Sequence, residues 1–248
     1  MVNLLKLNKV SFSPDKTRVI ARDMSLEVNK GDFIVIVGSN GSGKSTLIKM
    51  INRHYHHSAG DIALIDKPIQ DYSKKQLAQA VVTLNQFVHQ SLFVNLSIEE
   101  NARLLAMCYP QSATKKRGRK AAAKELAEYL REFNVKLSES LQLPLHYLSG
   151  GEQQILAFAL YLRHQPQLLL LDEHTSALDP KTAVKIMAFT DDIITKRQLT
   201  CLMTTHSLDF ALQYGNRLLA LRDGEIIFTA DAERKKQLTK ADLLEYCY

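Results

Sequence analysis

The stretch Gly38-Ser39-Asn40-Gly41-Ser42-Gly43-Lys44-Ser45-Thr46 limits what this chain can fold into more than any other. It follows Phe33-Ile34-Val35-Ile36-Val37, a continuous apolar run that reads as a strand buried on both faces. It leads into Leu47-Ile48-Lys49-Met50-Ile51, which reads as a helix. Strand, glycine-rich turn and helix form the context in which G-x-x-x-x-G-K-[ST] binds phosphate. The glycines let backbone N–H groups point inward at an anion, and the helix N-terminus adds positive partial charge. Lys44 then reaches the β- and γ-phosphates, Ser45 offers its hydroxyl to Mg²⁺, and Thr46 serves the loop or the α-phosphate. Together these features predict a nucleoside triphosphate site.

The rest of the composition fits a soluble cytoplasmic protein. The 248 residues are 46% hydrophobic, ample for a core, yet no apolar run approaches the roughly 18–20 residues that span a bilayer. The N-terminus lacks the basic region and apolar core of a signal peptide. Cys108, Cys201 and Cys247 are far apart, which argues against a disulfide framework and suits a reducing compartment. Much of the net charge of +6 sits in Lys115-Lys116-Arg117-Gly118-Arg119-Lys120, which reads as a solvated loop. His54, His56 and His57 match no zinc spacing and read as loop residues.

Along the chain, Leu5, Leu7 and Val10 alternate with polar residues, as do Met24, Leu26 and Val28. Both segments predict antiparallel strands joined through Ser13-Pro14-Asp15. Further strands are expected at 61–66, 81–84, 168–171 and 199–204. Asp223-Gly224 signals a hairpin between 218–221 and 225–228. Helices are expected at 74–80, from Ser97, at 121–133, 152–163, 183–194 and 241–246. The result is an α/β core interrupted by a helical subdomain.

In open α/β sheets, ligands gather at the carboxyl ends of the strands. Asp172 closes one apolar run, placed to hold Mg²⁺; Glu173 beside it is placed to polarise an attacking water. His206 follows another strand and can donate to a γ-phosphate, and Gln86 ends a third.

With Leu148-Ser149-Gly150-Gly151-Glu152-Gln153-Gln154, these residues resemble the nucleotide-binding subunit of an ABC transporter over nearly the whole chain. The resemblance implies a P-loop NTPase (RecA-like) core with an N-terminal antiparallel β-subdomain. It implies one ABC ATPase domain over 1–248, with its core at about 1–85 and 163–228, a helical subdomain at about 86–162 and a C-terminal tail at 229–248. It makes Gly38 to Thr46 the Walker A loop and Leu168 to Glu173 the Walker B segment, with Glu173 the catalytic base. Gln86 matches the glutamine that touches Mg²⁺ and the attacking water, and His206 the switch histidine. Ser149-Gly150-Gly151 is the signature that meets the γ-phosphate of an opposite protomer, and Asp179 belongs to the D-loop. Phe12 stands where the family keeps an adenine-stacking aromatic, with Val19 beside the same site. His174 departs from the family's proline after the glutamate.

ATP, Mg²⁺ and an ATP-dependent homodimer follow from the resemblance, because the signature has no anion to act on within one protomer. The stretch 172–183, with 95–101 and 214–217, is similar to a bacterial subgroup of aromatic amino acid transport ATPases. That likeness implies an importer of amino acids or similar small solutes. A separate transmembrane permease would hold the chain at the inner face of the membrane, and an extracytoplasmic substrate-binding protein would take part indirectly. A soluble ABC ATPase of the iron–sulfur assembly type shares every ATP motif and differs only in its partner surface. The basic run alone raises a nucleic-acid role, and no nucleic acid is expected.

Overall fold

A computed structural model of the chain describes residues 3–15, 17–108 and 118–247; residues 115–117 of the basic run lie outside the described residues. The strands are β1 (Asn3–Phe12), β2 (Ala21–Asn29), β3 (Phe33–Val37), β4 (Ala59–Leu64), β5 (Lys67–Pro68), β6 (Val81–Asn85), β7 (Leu168–Asp172), β8 (Cys201–Thr204), β9 (Arg217–Arg222) and β10 (Glu225–Ala230). The helices are α1 (Lys44–Ile51), α2 (Lys74–Ala80), α3 (Ile98–Cys108), α4 (Arg119–Arg131), α5 (Val135–Glu139), α6 (Gly150–Leu162), α7 (Pro180–Arg197), α8 (Leu208–Gln213), α9 (Ala232–Lys235) and α10 (Lys240–Cys247).

The chain divides into two compact units. The first comprises Met1–Thr83, Gln167–Glu173 and Phe189–Tyr248, so the C-terminal tail belongs to it. It carries a four-stranded sheet in the order β2-β1-β4-β5, antiparallel where β1 pairs with β2 and β4. A six-stranded sheet runs β10-β9-β3-β8-β7-β6. In it β3 pairs in parallel with β8 and β9, and β8 with β7, while β9 and β10 form an antiparallel hairpin.

All five residues of β3 are buried, as are Leu168 to Leu171 of β7, which is why both segments are uninterrupted apolar runs rather than alternating ones. Leu47, Ile48, Met50 and Ile51 of α1 share one core with Leu5, Leu7 and Met24 of the first sheet and Ile34, Leu170 and Leu202 of the second. At about 1.5–3 kcal/mol for each fully buried aliphatic side chain, this core fixes the helix that starts at the phosphate loop.

The second unit comprises Leu84–Pro166 and His174–Ala188, so the D-loop and the first half of α7 belong with the helices. Capping boxes open two of its helices: Glu100 Oε2 accepts from Ser97 N at 2.8 Å, and Glu152 Oε2 from Ser149 N at 2.8 Å. Helix α7 begins three residues earlier than the periodicity alone predicts. Pro180 stands at its first position, Asp179 Oδ1 accepts from Thr182 N at 3.1 Å, and Lys196 and Arg197 complete its last turn. The short helices α5, α8 and α9 have too few turns to show a period, and their side-chain caps, Asn134, Ser207 and Asp231, define them instead. Among the described residues, no helix is long and apolar enough to cross a membrane.

Candidate active site

The phosphate loop is shaped by close backbone approaches. Gly38 follows β3 with φ of 152°, and a Cβ there would lie 2.2 Å from the Leu221 carbonyl oxygen of β9. Gly41 and Gly43 also have positive φ, 82° and 104°. Gly43 stands at the N-cap of α1 without a side-chain cap, which leaves the first-turn N–H groups to an anion. The hairpin between β9 and β10 closes on the loop from outside: Gly224 N donates to the Ser42 carbonyl at 3.1 Å, and Arg22 N to the Gly224 carbonyl at 2.8 Å.

Lys44 is buried and turns its ammonium back over the loop, donating to the carbonyls of Gly38 at 2.9 Å and Ser39 at 3.0 Å. Burial holds its pKa below the usual lysine value, opposed by the charges of Glu173 and Asp172. An ammonium surrounded by carbonyl oxygens at this point is ready to exchange them for phosphate oxygens.

The carboxyl ends of β3, β8 and β7 lie side by side in that order, which brings the predicted acids to the loop. Ser45 Oγ donates to Asp172 Oδ1 at 3.1 Å. Glu173 follows Asp172 with φ of 52°, in the left-handed region that non-glycine residues seldom adopt. Its Oε1 is 2.5 Å from His206 Nε2. Thr204 was not among the residues expected at the site. It pairs with Asp172 in the β7–β8 register, its Oγ1 donates to Asp172 Oδ1 at 2.7 Å, and it accepts from Glu173 N at 3.1 Å. Its sequence signal was slight: one polar residue closing an apolar strand, two positions before His206.

Lys44, Ser45, Asp172, Glu173, Thr204 and His206 all belong to the first unit, as do Phe12 and Val19. Phe12 is only 8% exposed, and one face of its ring is stacked on Tyr55 at 4.8 Å between centroids. Val19 is exposed. The accessible aromatic of this pair is Tyr55, which sits between the loop histidines His54 and His56.

Gln86, Ser149, Gly150, Gly151 and Asp179 belong to the second unit. Gln86 follows β6 and is half-buried. Ser149 and Gly150 are exposed at the start of α6, whereas Gly151 is buried where a Cβ would lie 2.8 Å from Thr182 Cγ2. Lys136 Nζ meets Glu152 Oε1 at 2.7 Å and, with the Ser149 hydrogen bonds, holds the Glu152 carboxyl below the usual carboxylate range. His174 is buried, and burial lowers its pKa to about 4, so its ring is neutral near pH 7. Its carbonyl accepts from Gln154 Nε2 of the signature helix.

The sequence profile of ABC transporter domains matches residues 21–176. The chain is 33% identical to a tyrosine transport ATP-binding protein of Clostridioides difficile, over 99% of this chain and 98% of that protein. It is 34% identical to a methionine import ATP-binding protein, MetN, of Streptococcus agalactiae, over 90% of this chain and 63% of that one. Among solved structures, cbiO1 from Clostridium perfringens, part of the ABC transporter complex cbiONQ, superposes with a TM-score of 0.82 at 24% identity, over 98% of this chain and 93% of that chain. The phosphate loop built on β3 and α1, the acids at the end of β7 and these relatives lead to one conclusion: the chain belongs to the ABC transporter family and is an ATP-binding ATPase domain of it.

Proposed function

We propose that this chain is the ATP-hydrolysing subunit of a bacterial importer for amino acids or similar small solutes. Similarity over almost the full length of a tyrosine transport relative, together with the methionine import relatives, supports that substrate class. The observation that carries the catalytic part is the Glu173–His206 contact at the loop that holds Lys44 and Ser45.

Mg²⁺ fits the residues present: one carboxylate, Asp172, and one hydroxyl, Ser45, converge beside a phosphate loop, and this ion takes few protein ligands plus waters and phosphate oxygens. Asp172 and Ser45 would hold it, and Gln86 is assigned to the ion by the family resemblance alone. When bound, the ion supplies neutralisation of charge on the β- and γ-phosphates. Lys44 leaves the Gly38 and Ser39 carbonyls for the γ-phosphate, while the loop N–H groups cradle the remaining oxygens. Glu173 accepts the proton of the attacking water, a role worth roughly 10²–10⁴-fold in rate. His206 donates through Nε2 to the Glu173 carboxylate and exchanges that contact for the γ-phosphate.

Ser149, Gly150 and Gly151 serve the nucleotide of a second copy, with Asp179 alongside, so two chains close head to tail on two ATP molecules. Phe12 and Val19 mark the adenine side of the site. Closure and reopening pass to a separate permease, which holds the chain at the inner membrane face and receives solute from an extracytoplasmic binding protein.

Glu173→Gln is expected to abolish steady-state turnover, retain nucleotide binding and form a dimer with MgATP by light scattering. Near-normal turnover removes Glu173 as the base, and a monomer removes the homodimer. Mild detergent extraction of the tagged chain should recover a stoichiometric polytopic membrane protein; recovery of soluble partners alone overturns the importer.

A further inference from the structure

Thr204 stands in the middle of the catalytic carboxylates. It closes β8, is 1% exposed and follows the buried apolar run Cys201, Leu202 and Met203. Valine would fill the same volume on such a strand without the cost of burying a hydroxyl. The hydroxyl here is engaged both as donor and as acceptor. A carboxylate can only accept, so the proton of Thr204 Oγ1 points to Asp172 Oδ1 at 2.7 Å. A backbone N–H can only donate, so the oxygen lone pair receives Glu173 N at 3.1 Å. The Leu171 carbonyl, at 3.5 Å, is too far to compete.

Two consequences follow. The Asp172 oxygen that faces Ser45 receives both hydroxyls, Ser45 at 3.1 Å and Thr204 at 2.7 Å, which fixes the direction of the carboxylate. Glu173 N is held by both the carbonyl of Thr204, at 3.3 Å, and its hydroxyl, and this clamps the residue in the left-handed conformation that aims its side chain at His206. One side chain thereby sets the orientation of both acids.

We infer that Thr204 is a positioning residue that aligns Asp172 toward Mg²⁺ and Glu173 toward the attacking water. The inference rests on the ATPase assignment, and one arm of its test is independent of turnover. Thr204→Val in the full chain is expected to lower kcat about tenfold, the loss typical of one hydrogen bond to a charged group. The same variant should shrink the Mg²⁺-dependent gain in affinity for a non-hydrolysable ATP analogue, while its Mg²⁺-free affinity stays at the wild-type value. Thr204→Ser, which keeps the hydroxyl, should restore both readouts.

A Val variant with wild-type kcat and wild-type Mg²⁺ response overturns the inference. So does a Ser variant as impaired as Val, which makes the methyl group and packing responsible. If Val fails to accumulate as folded protein, Thr204→Ala is read in the same two arms against Ser. A wild-type chain that binds the analogue without turnover defeats the ATPase assignment instead, and the Mg²⁺ arm then decides Thr204 alone.

Discussion

Glu173 Oε1 and His206 Nε2 are 2.5 Å apart, joining the residue after β7 to the second residue after β8. The imidazole is about two-fifths exposed and the carboxylate about one-fifth, 42% and 19%, so the pair faces outward where a γ-phosphate can reach it. His206→Ala removes one strong hydrogen bond from Glu173, and kcat is expected to fall roughly 10–100-fold. ATP affinity should move far less, because the loop N–H groups and Lys44 remain. Phosphate release at saturating ATP checks this; an unchanged kcat would remove His206 from the chemical step.

The hairpin contact with the phosphate loop can be tested by two glycines of similar backbone. Gly224 and Gly31 have φ of 81° and 86°, yet a Cβ on Gly224 would lie 2.3 Å from the Ile20 carbonyl, whereas one on Gly31 meets nothing within 4 Å. Gly31→Ala is expected to cost about 1 kcal/mol, the strain of the left-handed region alone, with normal nucleotide affinity. Gly224→Ala should cost about 1–3 kcal/mol or more and also weaken nucleotide binding, since the hairpin must withdraw from Ser42. Equal nucleotide affinity in the two variants would show that the hairpin does not hold the loop.

The signature helix packs on α7 through Gly151. Gly151→Ala places a methyl 2.8 Å from Thr182 Cγ2 and is expected to destabilise by about 1–3 kcal/mol despite the better helix propensity of alanine. Thr182→Ser deletes that methyl, so Gly151→Ala in its presence should be nearly neutral. Denaturant unfolding of the four forms gives the coupling; strict additivity would mean the two residues do not touch.

Lys235 supplies a pH test. It is 5% exposed, donates to the carbonyls of Tyr214 and Gly215, and burial lowers its pKa from 10.5 to about 8, opposed by Asp191. Between pH 8 and 10.5 the unfolded chain therefore holds a proton that the folded chain has released. Stability contributed by this group rises with pH across that window, by up to about 3 kcal/mol. The difference in unfolding free energy between wild type and Lys235→Met should rise from pH 8 to 10.5; a flat difference places the lysine outside the core.

The sequence by itself determined the local pieces. Five apolar residues before a glycine turn specify β3 and the phosphate loop, Ser97 with Glu100 three residues on specifies a helix start, and Asp223-Gly224 specifies the β9–β10 turn. These signals span a few residues, because capping, turn chemistry and periodicity act between near neighbours. Tertiary structure alone decided what meets at the loop. Ser45 and Asp172 are 127 positions apart, and Thr204 reaches Asp172 across 32, so their contacts depend on the parallel register β3-β8-β7. No spacing in the chain encodes that register. It comes from packing both faces of the sheet, and that is why Asp172 was legible as an acid at a strand end while Thr204 read as one more strand residue.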